Sequence, residues 1–249
     1  MTAVSGRVTR PDWDARIPAD EWRVYQRVIR GAREAGVPFA FGGAFATAVY
    51  TGELRNTKDF DFYITPQDRE VMQDVVTRAG LLDHFERLSY DRSWIYRASD
   101  GDVIVDSIWD MANHRAQVDM DWLTRGPLVE LQGEEIRAIP AEELIWSKLY
   151  VLQRDRCDWG DVLNLIDARA ASIDWEHLLH RMGEDVPLLS GALELYSWLN
   201  PERAATIPEA IWERMGIRRL GGHPMNPGLI SKRAALLDAR PWFHPVQVG

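Results

Sequence analysis

Hydrophobic positions recur along the first third of the chain at two periods. Between Ala19 and Gly36, Trp22, Tyr25, Val28, Ile29 and Ala32 fall at helical spacing, and Gly36 is a natural stop. VPFAF then reads as a short buried strand ending at Gly42-Gly43, and AFATAVY as a short helix stopped near Gly52. KDFDFYI alternates strictly: Asp59, Asp61 and Tyr63 on one face of a strand, Phe60, Phe62 and Ile64 on the other. Residues 66–80 read as a helix with Pro66 in its first turn and Gly80 at its end. RSWIYRAS and DVIVDSIWD read as antiparallel strands joined at Asp100-Gly101, and LVELQGEEIRAIP as a hairpin around Gly133-Glu134.

From Pro140 the pattern changes. EELIWSKLYVLQRD, GDVLNLIDAR and WEHLLHRM all carry the helical period. The chain therefore divides into an irregular arm over 1–18, a mixed α/β part over 19–138 and a mostly helical region over 139–249. Its last stretch, from about 216, is rich in Gly, Pro and Arg and reads as a loop-rich tail with one short helix at SKRAALLDA.

Composition narrows the function classes. With 249 residues and 46% hydrophobic residues, the chain suits one domain plus a smaller appendage. A formal net charge of -9 disfavours non-specific binding to nucleic acid or acidic membranes, though a local basic groove is compatible with it. Arg214, Arg218, Arg219, Lys232, Arg233 and Arg240 are candidates for such a patch, or an ordinary solvated tail. The single Cys157 rules out an intramolecular disulfide and a cysteine zinc cluster, and fits a reducing cytoplasm. No apolar run reaches the length of a membrane span, and the N-terminus lacks the apolar core of a secretory signal. His177 and His180 lie three apart on an expected helix without a zinc-like partner set, and read as solvated.

The chemistry concentrates in GGAFATAVYTGELRNTKDFDFYI. Side chains two apart on a strand project the same way, so Asp59 and Asp61 share a face. Carboxylates that close resist joint ionisation unless a cation sits between them, and hard divalent ions such as magnesium favour such oxygen donors together with substrate phosphates. Strand, Gly-Gly, then helix brings backbone N–H groups and a helix N-terminus near an anion, and the missing Cβ atoms allow close approach. The stretch is neither a Walker sequence nor GxGxxG.

The run Gly42-Gly43 … Gly52-Glu-Leu-Arg55-Asn-Thr57-Lys-Asp59-Phe-Asp61 resembles the nucleotidyltransferase superfamily, with the DNA polymerase beta-like fold, and most of all its AbiEii-type branch, which includes type IV toxin–antitoxin toxins. That pattern has a glycine pair, a helix, an Arg-x-Ser/Thr loop, a D-x-D strand and a third carboxylate on a neighbouring strand. Asp106 takes the third place, with Asp102 and Asp110 as competing choices. A second block, IPAEELIWSKLYVLQRDRCDWGDVLNLI, puts Lys148 at the family's helix lysine and Arg156, Asp158 and Asp161 at its later motif, where these three also suit a helix cap. The interval from Gly43 to Asp59 is slightly longer than in the family pattern.

The resemblance implies an α/β (α+β) nucleotidyltransferase fold, a mixed sheet flanked by helices and followed by a helical region. It implies an enzyme that moves a nucleoside monophosphate from a triphosphate such as ATP, GTP or CTP to a hydroxyl, releasing pyrophosphate. Asp59, Asp61 and Asp106 would be the catalytic metal ligands for Mg2+ or Mn2+, and Gly42, Gly43, Arg55, Thr57 and Lys148 would bind the nucleotide. The acceptor in toxin relatives suggests tRNA or protein, with a cognate antitoxin as a possible partner. Other branches modify aminoglycoside or lincosamide antibiotics. A protein that only binds nucleotide or a partner on the same fold is the alternative from another class.

Overall fold

Phe60 and Phe62 organise the first half of the molecule. In the computed structural model, which describes residues 8–9, 16–55, 57, 59–220 and 227–238, both are fully buried, while Asp59 and Asp61 between and beside them are partly exposed. The alternation of the sequence is therefore the two-sidedness of a sheet. Of the arm read over 1–18, residues 1–7 and 10–15 lie outside the described residues. So do 221–226 and 239–249 of the tail, Arg240 among them.

The described residues form two compact units, Met1–Val49 with Glu53–Pro140, and Tyr50–Gly52 with Ala141–Gly249. In the first, in chain order, come β1 (Val8–Thr9), α1 (Ala19–Glu34), β2 (Ala40–Phe41), α2 (Gly43–Thr51, whose last residues count with the second unit) and β3 (Asp59–Tyr63). There follow a 3-10 turn over Pro66–Asp68, α3 (Arg69–Arg78), β4 (Leu82–Asp83), β5 (Ile95–Asp100), β6 (Val103–Ile108), α4 (Met120–Thr124), β7 (Leu128–Leu131) and β8 (Glu134–Arg137). The stretch expected as one helix over 66–80 is thus a 3-10 turn followed by a regular helix. Strands β1 and β4, like β2, carry too few residues to show a period of two, and unlike β2 they lie in no apolar run.

The main sheet has the order β2-β3-β6-β5-β4 and is mixed: β3 and β6 run parallel, the other neighbours antiparallel. On its apolar face the Phe60 ring meets Tyr25 of α1, Phe41, Phe45 and Phe62, with ring centroids 4.8 to 5.9 Å apart. Burying an aromatic of this size stabilises the fold by roughly 2–3 kcal/mol. Helix α1 ends where Gly36 takes a positive φ of 71° and the Val37 N–H reaches back to the Ala32 carbonyl, a left-handed stop that glycine adopts without Cβ strain. A second sheet, β1-β7-β8, is tied to α1 by Glu134, whose carboxylate accepts bonds from Gln26, Arg30 and Arg33.

Both hairpin turns sit one residue away from their expected places. β5 and β6 turn at Gly101-Asp102, with Gly101 at φ 61°, the pattern of a type II′ turn with glycine first. β7 and β8 turn at Gln132-Gly133, both at positive φ, and Glu134 becomes the first residue of β8.

The second unit is helical: α5 (Ala141–Leu149), α6 (Trp159–Arg169), α7 (Trp175–Met182), α8 (Val186–Leu199), α9 (Pro201–Ala204), α10 (Glu209–Met215) and α11 (Pro227–Ala234). Helix α5 stops earlier than its sequence period suggests. Residues 151–158 fold back instead, with the Asp158 N–H on the Val151 carbonyl and Gln153 on Arg156. Helix α11 begins before the stretch SKRAALLDA and covers only its first part. His177 is not solvated as expected: its Nε2 lies 2.6 Å from the fully buried Glu143, which Arg181 also contacts. Asp167, likewise buried, accepts from Tyr196, Asn200 and Arg203. No helix among the described residues is long and apolar enough to cross a membrane.

Candidate active site

The candidate site lies on the polar face of the main sheet. Register sets its composition. Asp61 of β3 is opposite Asp106 of β6, and Asp106 is opposite Arg97 of β5. Residues directly opposite one another in a sheet point to the same side, so one row crosses three strands as Asp61, Asp106 and Arg97. Asp59 lies two residues before Asp61, on the same face, and begins a second row through Ile104 to Ser99. Of the two competing carboxylates, Asp102 is exposed in the hairpin turn, and Asp110 caps the Met111 N–H and bonds His114. Asp106 is the one that the fold brings to Asp59 and Asp61.

The glycine pair makes room for this face. A Cβ on Gly43 would stand 1.6 Å from Oδ2 of Asp61, and one on Gly42 would stand 2.1 Å from the Tyr63 ring. The Gly42 N–H donates to the Asp61 carbonyl at 3.0 Å, which welds the glycine turn to β3. Gly43 has φ 56° and opens α2, so the Asp61 carboxylate rests against the start of that helix. The cradle expected for a phosphate is therefore first of all the seat of Asp61. Tyr63 stacks on Trp122 at 5.4 Å and closes the end of the face.

Thr57 supports the strand from the other end: its hydroxyl accepts from the Asp59 N–H at 3.3 Å. Arg55 is exposed. With Thr57, Arg16 and Glu21 it lines a hollow of about 10 Å³, room for about one water. Beyond Ser99, at the β4 edge, a larger hollow of about 360 Å³ is lined by Leu82, Asp83, Arg87, Ser99 and Asp100.

Asp106 differs from its two companions. It is 2% exposed, and its Oδ1 and Oδ2 accept from Nε and Nη2 of Arg97 at 2.7 and 2.5 Å. Burial pushes the Asp106 carboxyl up, an effect that the guanidinium opposes. The hydrogen bond to Asp106 pushes Arg97 further above its already high range, so the guanidinium stays charged. The Tyr90 hydroxyl bonds both the N–H and the carbonyl of Arg97, which β4 is too short to reach. Arg97 is the residue that sequence reasoning missed. With a turn at Asp100-Gly101, Ile95 falls opposite Asp106; moving the turn by one residue brings Arg97 there.

A hard divalent cation would find suitable donors in Asp59 and Asp61, two carboxylates on one face with a glycine cleared beside one of them. Asp106 stands apart from them, because its negative charge is already met by the Arg97 guanidinium. The three expected carboxylates therefore share one face of the sheet, with Asp59 and Asp61 partly exposed and Asp106 paired with Arg97. No group of three His, Cys, Asp or Glu side chains placed to hold a metal occurs among the described residues.

Lys148 belongs to the second unit. Its ammonium lies 2.9 Å from Asp158 and 2.8 Å from Asp161, and Arg156 also contacts Asp158. Asp158 stands at the N-cap of α6, yet its side chain turns to these cations instead of capping. Burial pushes the Asp158 carboxyl up, but Lys148 and Arg156 together outweigh it and hold it below the usual range. Among the basic residues of the tail, Arg214 pairs with Glu176, Arg219 with Glu209, and Arg233 lies over Trp198.

No family model matches the sequence, and no curated protein matches it. Among solved structures the chain is similar to the antibiotic-resistance factor ANT(2'')-Ia, at 17% identity and a TM-score of 0.40 over 80% of this chain and 95% of that one. It is similar to JHP933 from Helicobacter pylori at 14% identity and a TM-score of 0.40 over 87% of each chain. A third similarity is to an antigenic nucleotidyltransferase-like protein from Paracoccidioides brasiliensis, at 17% identity and a TM-score of 0.38 over 71% of this chain and 93% of that one.

Proposed function

We propose that this protein transfers a nucleoside monophosphate from a nucleoside triphosphate to a hydroxyl acceptor. The observation that carries the reading is the seat of Asp61. A strand carboxylate two residues from a second one is held against a glycine-led helix start, in a space that any side chain at position 43 would fill. A divalent cation such as Mg2+ or Mn2+, if bound there, would supply Lewis-acid charge to the triphosphate and would acidify a nearby hydroxyl. Asp59 and Asp61 are the residues that would hold it. Thr57 keeps Asp59 in place through the backbone of β3. Gly42 and Gly43, without side chains, would let phosphate oxygens approach the start of α2 closely. Arg55 adds charge from the loop before β3.

The finer form of the reading is an AbiEii-like toxin with tRNA or a protein as acceptor. The protein is incubated with each α-labelled ribonucleoside triphosphate, magnesium and a cell extract, beside the Asp59→Ala/Asp61→Ala variant, with arms containing purified tRNA, an aminoglycoside or a lincosamide. Label in tRNA or in a protein band, only with intact aspartates, supports the toxin form. Label in an antibiotic moves the acceptor to the small-molecule branch. Triphosphate bound but never transferred in any arm replaces the enzyme with a binding protein.

A further inference from the structure

Three carboxylates on one face invite a two-cation site, but the third already has a counter-charge of its own. Asp106 faces Asp61 across β3 and β6, and both of its oxygens accept from one guanidinium. The pair is fixed from three directions: by β6 and β5 in register, by burial of the carboxylate, and by Tyr90 on the Arg97 backbone. A cation brought to Asp106 would meet a carboxylate whose charge the guanidinium already neutralises and would stand beside that fixed positive charge, so it gains less there than on Asp59 and Asp61. Arg97 itself is not sealed away. Its side chain is 29% exposed, and Nη1 has no acceptor among the described residues. By register it stands on the face that carries Asp59 and Asp61, about two strand spacings, or roughly 10 Å, from Asp61 at the backbone. A planar guanidinium held by one edge presents the other edge to an oxyanion, a geometry that suits phosphate.

We propose that the site holds a single divalent cation, on Asp59 and Asp61, and that Arg97, clamped by Asp106, supplies the second positive charge as a phosphate-binding residue. Asp106 is then a positioning residue for Arg97 and not a metal ligand. The inference rests on the nucleotidyl-transfer reading and changes its electrostatics: one of the two charges that face the triphosphate is built into the sheet.

The test counts ions and measures triphosphate binding separately. Mn2+ bound to the wild type, Asp106→Asn and Asp61→Ala is counted by electron paramagnetic resonance. Inorganic triphosphate is titrated calorimetrically in the presence of a chelator against the wild type, Arg97→Lys, Arg97→Met and the double variant Arg97→Met/Asp106→Asn, which leaves no buried charge behind. Expected are one Mn2+ per chain in the wild type and in Asp106→Asn, and none in Asp61→Ala. Metal-free triphosphate affinity is expected to fall about tenfold in Arg97→Met and in the double variant, with part of it retained in Arg97→Lys. Two ions in the wild type falling to one in Asp106→Asn overturn the inference and leave the nucleotidyl-transfer reading standing. Unchanged triphosphate affinity in both Met variants overturns it as well. A wild type that binds no Mn2+ removes the metal-site reading itself, and this inference with it.

Discussion

Both units hold closely spaced aspartates, and the two clusters differ in what surrounds them. In the helical unit Asp158 and Asp161 converge on the Lys148 ammonium, with Arg156 behind Asp158. Two carboxylates meet two cations, all supplied by neighbouring turns of the same chain. On the sheet, described residues contribute three carboxylates and one guanidinium, and that guanidinium is committed to Asp106. The first cluster is closed within the protein. The second keeps Asp59 and Asp61 on a partly exposed face with space cleared by glycine. Two aspartates close in sequence are therefore no signal by themselves; one pair converges on a mostly buried ammonium of its own unit, and the other lies on a partly exposed face beside a glycine turn.

Removing the sheet carboxylates strikes the comparison hardest. Asp61→Ala is expected to lower nucleotidyl transfer by about 10³-fold or more, the loss of several kcal/mol of charge stabilisation, with little change in the thermal midpoint. Label transfer beside a melting curve checks it, and an active Asp61→Ala would remove the functional half of the contrast. In the helical unit the sign is reversed. Lys148→Met leaves Asp158 and Asp161 facing each other, mostly buried, and is expected to cost about 3 kcal/mol of stability in denaturant titrations. If Lys148→Met instead melts like the wild type and loses triphosphate binding, the lysine belongs with the site.

Gly43→Ala gives a smaller and more selective effect. Its positive φ costs an L-residue about 1–2 kcal/mol, and the new methyl displaces the Asp61 carboxylate. Mn2+ affinity is expected to fall further than this stability loss would suggest, whereas Gly36→Ala, also at positive φ but with open space around its Cβ, is expected to lose stability alone. The smallest effect is on pH. The Asp158 pKa is lowered in the folded state, so its share of stability is present above the unfolded carboxylate value, about 3.9, and is lost as pH falls through the still lower folded value. Thermal midpoints recorded from pH 6 downward are expected to drop over that acid range in the wild type and to flatten in Lys148→Met.

Local patterns were legible wherever one face of an element meets the core and the other meets water. The alternation in KDFDFYI identifies β3, and the helical period identifies α1, α6 and α7. Patterning was silent for the two-residue strands β1 and β4. It overran the end of α5, where Asp158 closes a backbone turn onto Val151.

By itself, the sequence determined that Asp59 and Asp61 share a face and that a glycine pair precedes them, because both follow from chain geometry over a few residues. Only the tertiary structure decided what those features meet. The Asp61–Asp106–Arg97 row depends on a parallel pairing between strands distant in sequence and on a hairpin register set by a single turn residue. The role of Gly43 depends on a carboxylate eighteen residues further along the chain. The Lys148 cluster depends on how residues 151–158 fold back before α6. Each is a matter of long-range register or loop closure. A one-residue shift there exchanges Ile95 for Arg97 opposite a buried carboxylate, while the local hydrophobic pattern stays the same.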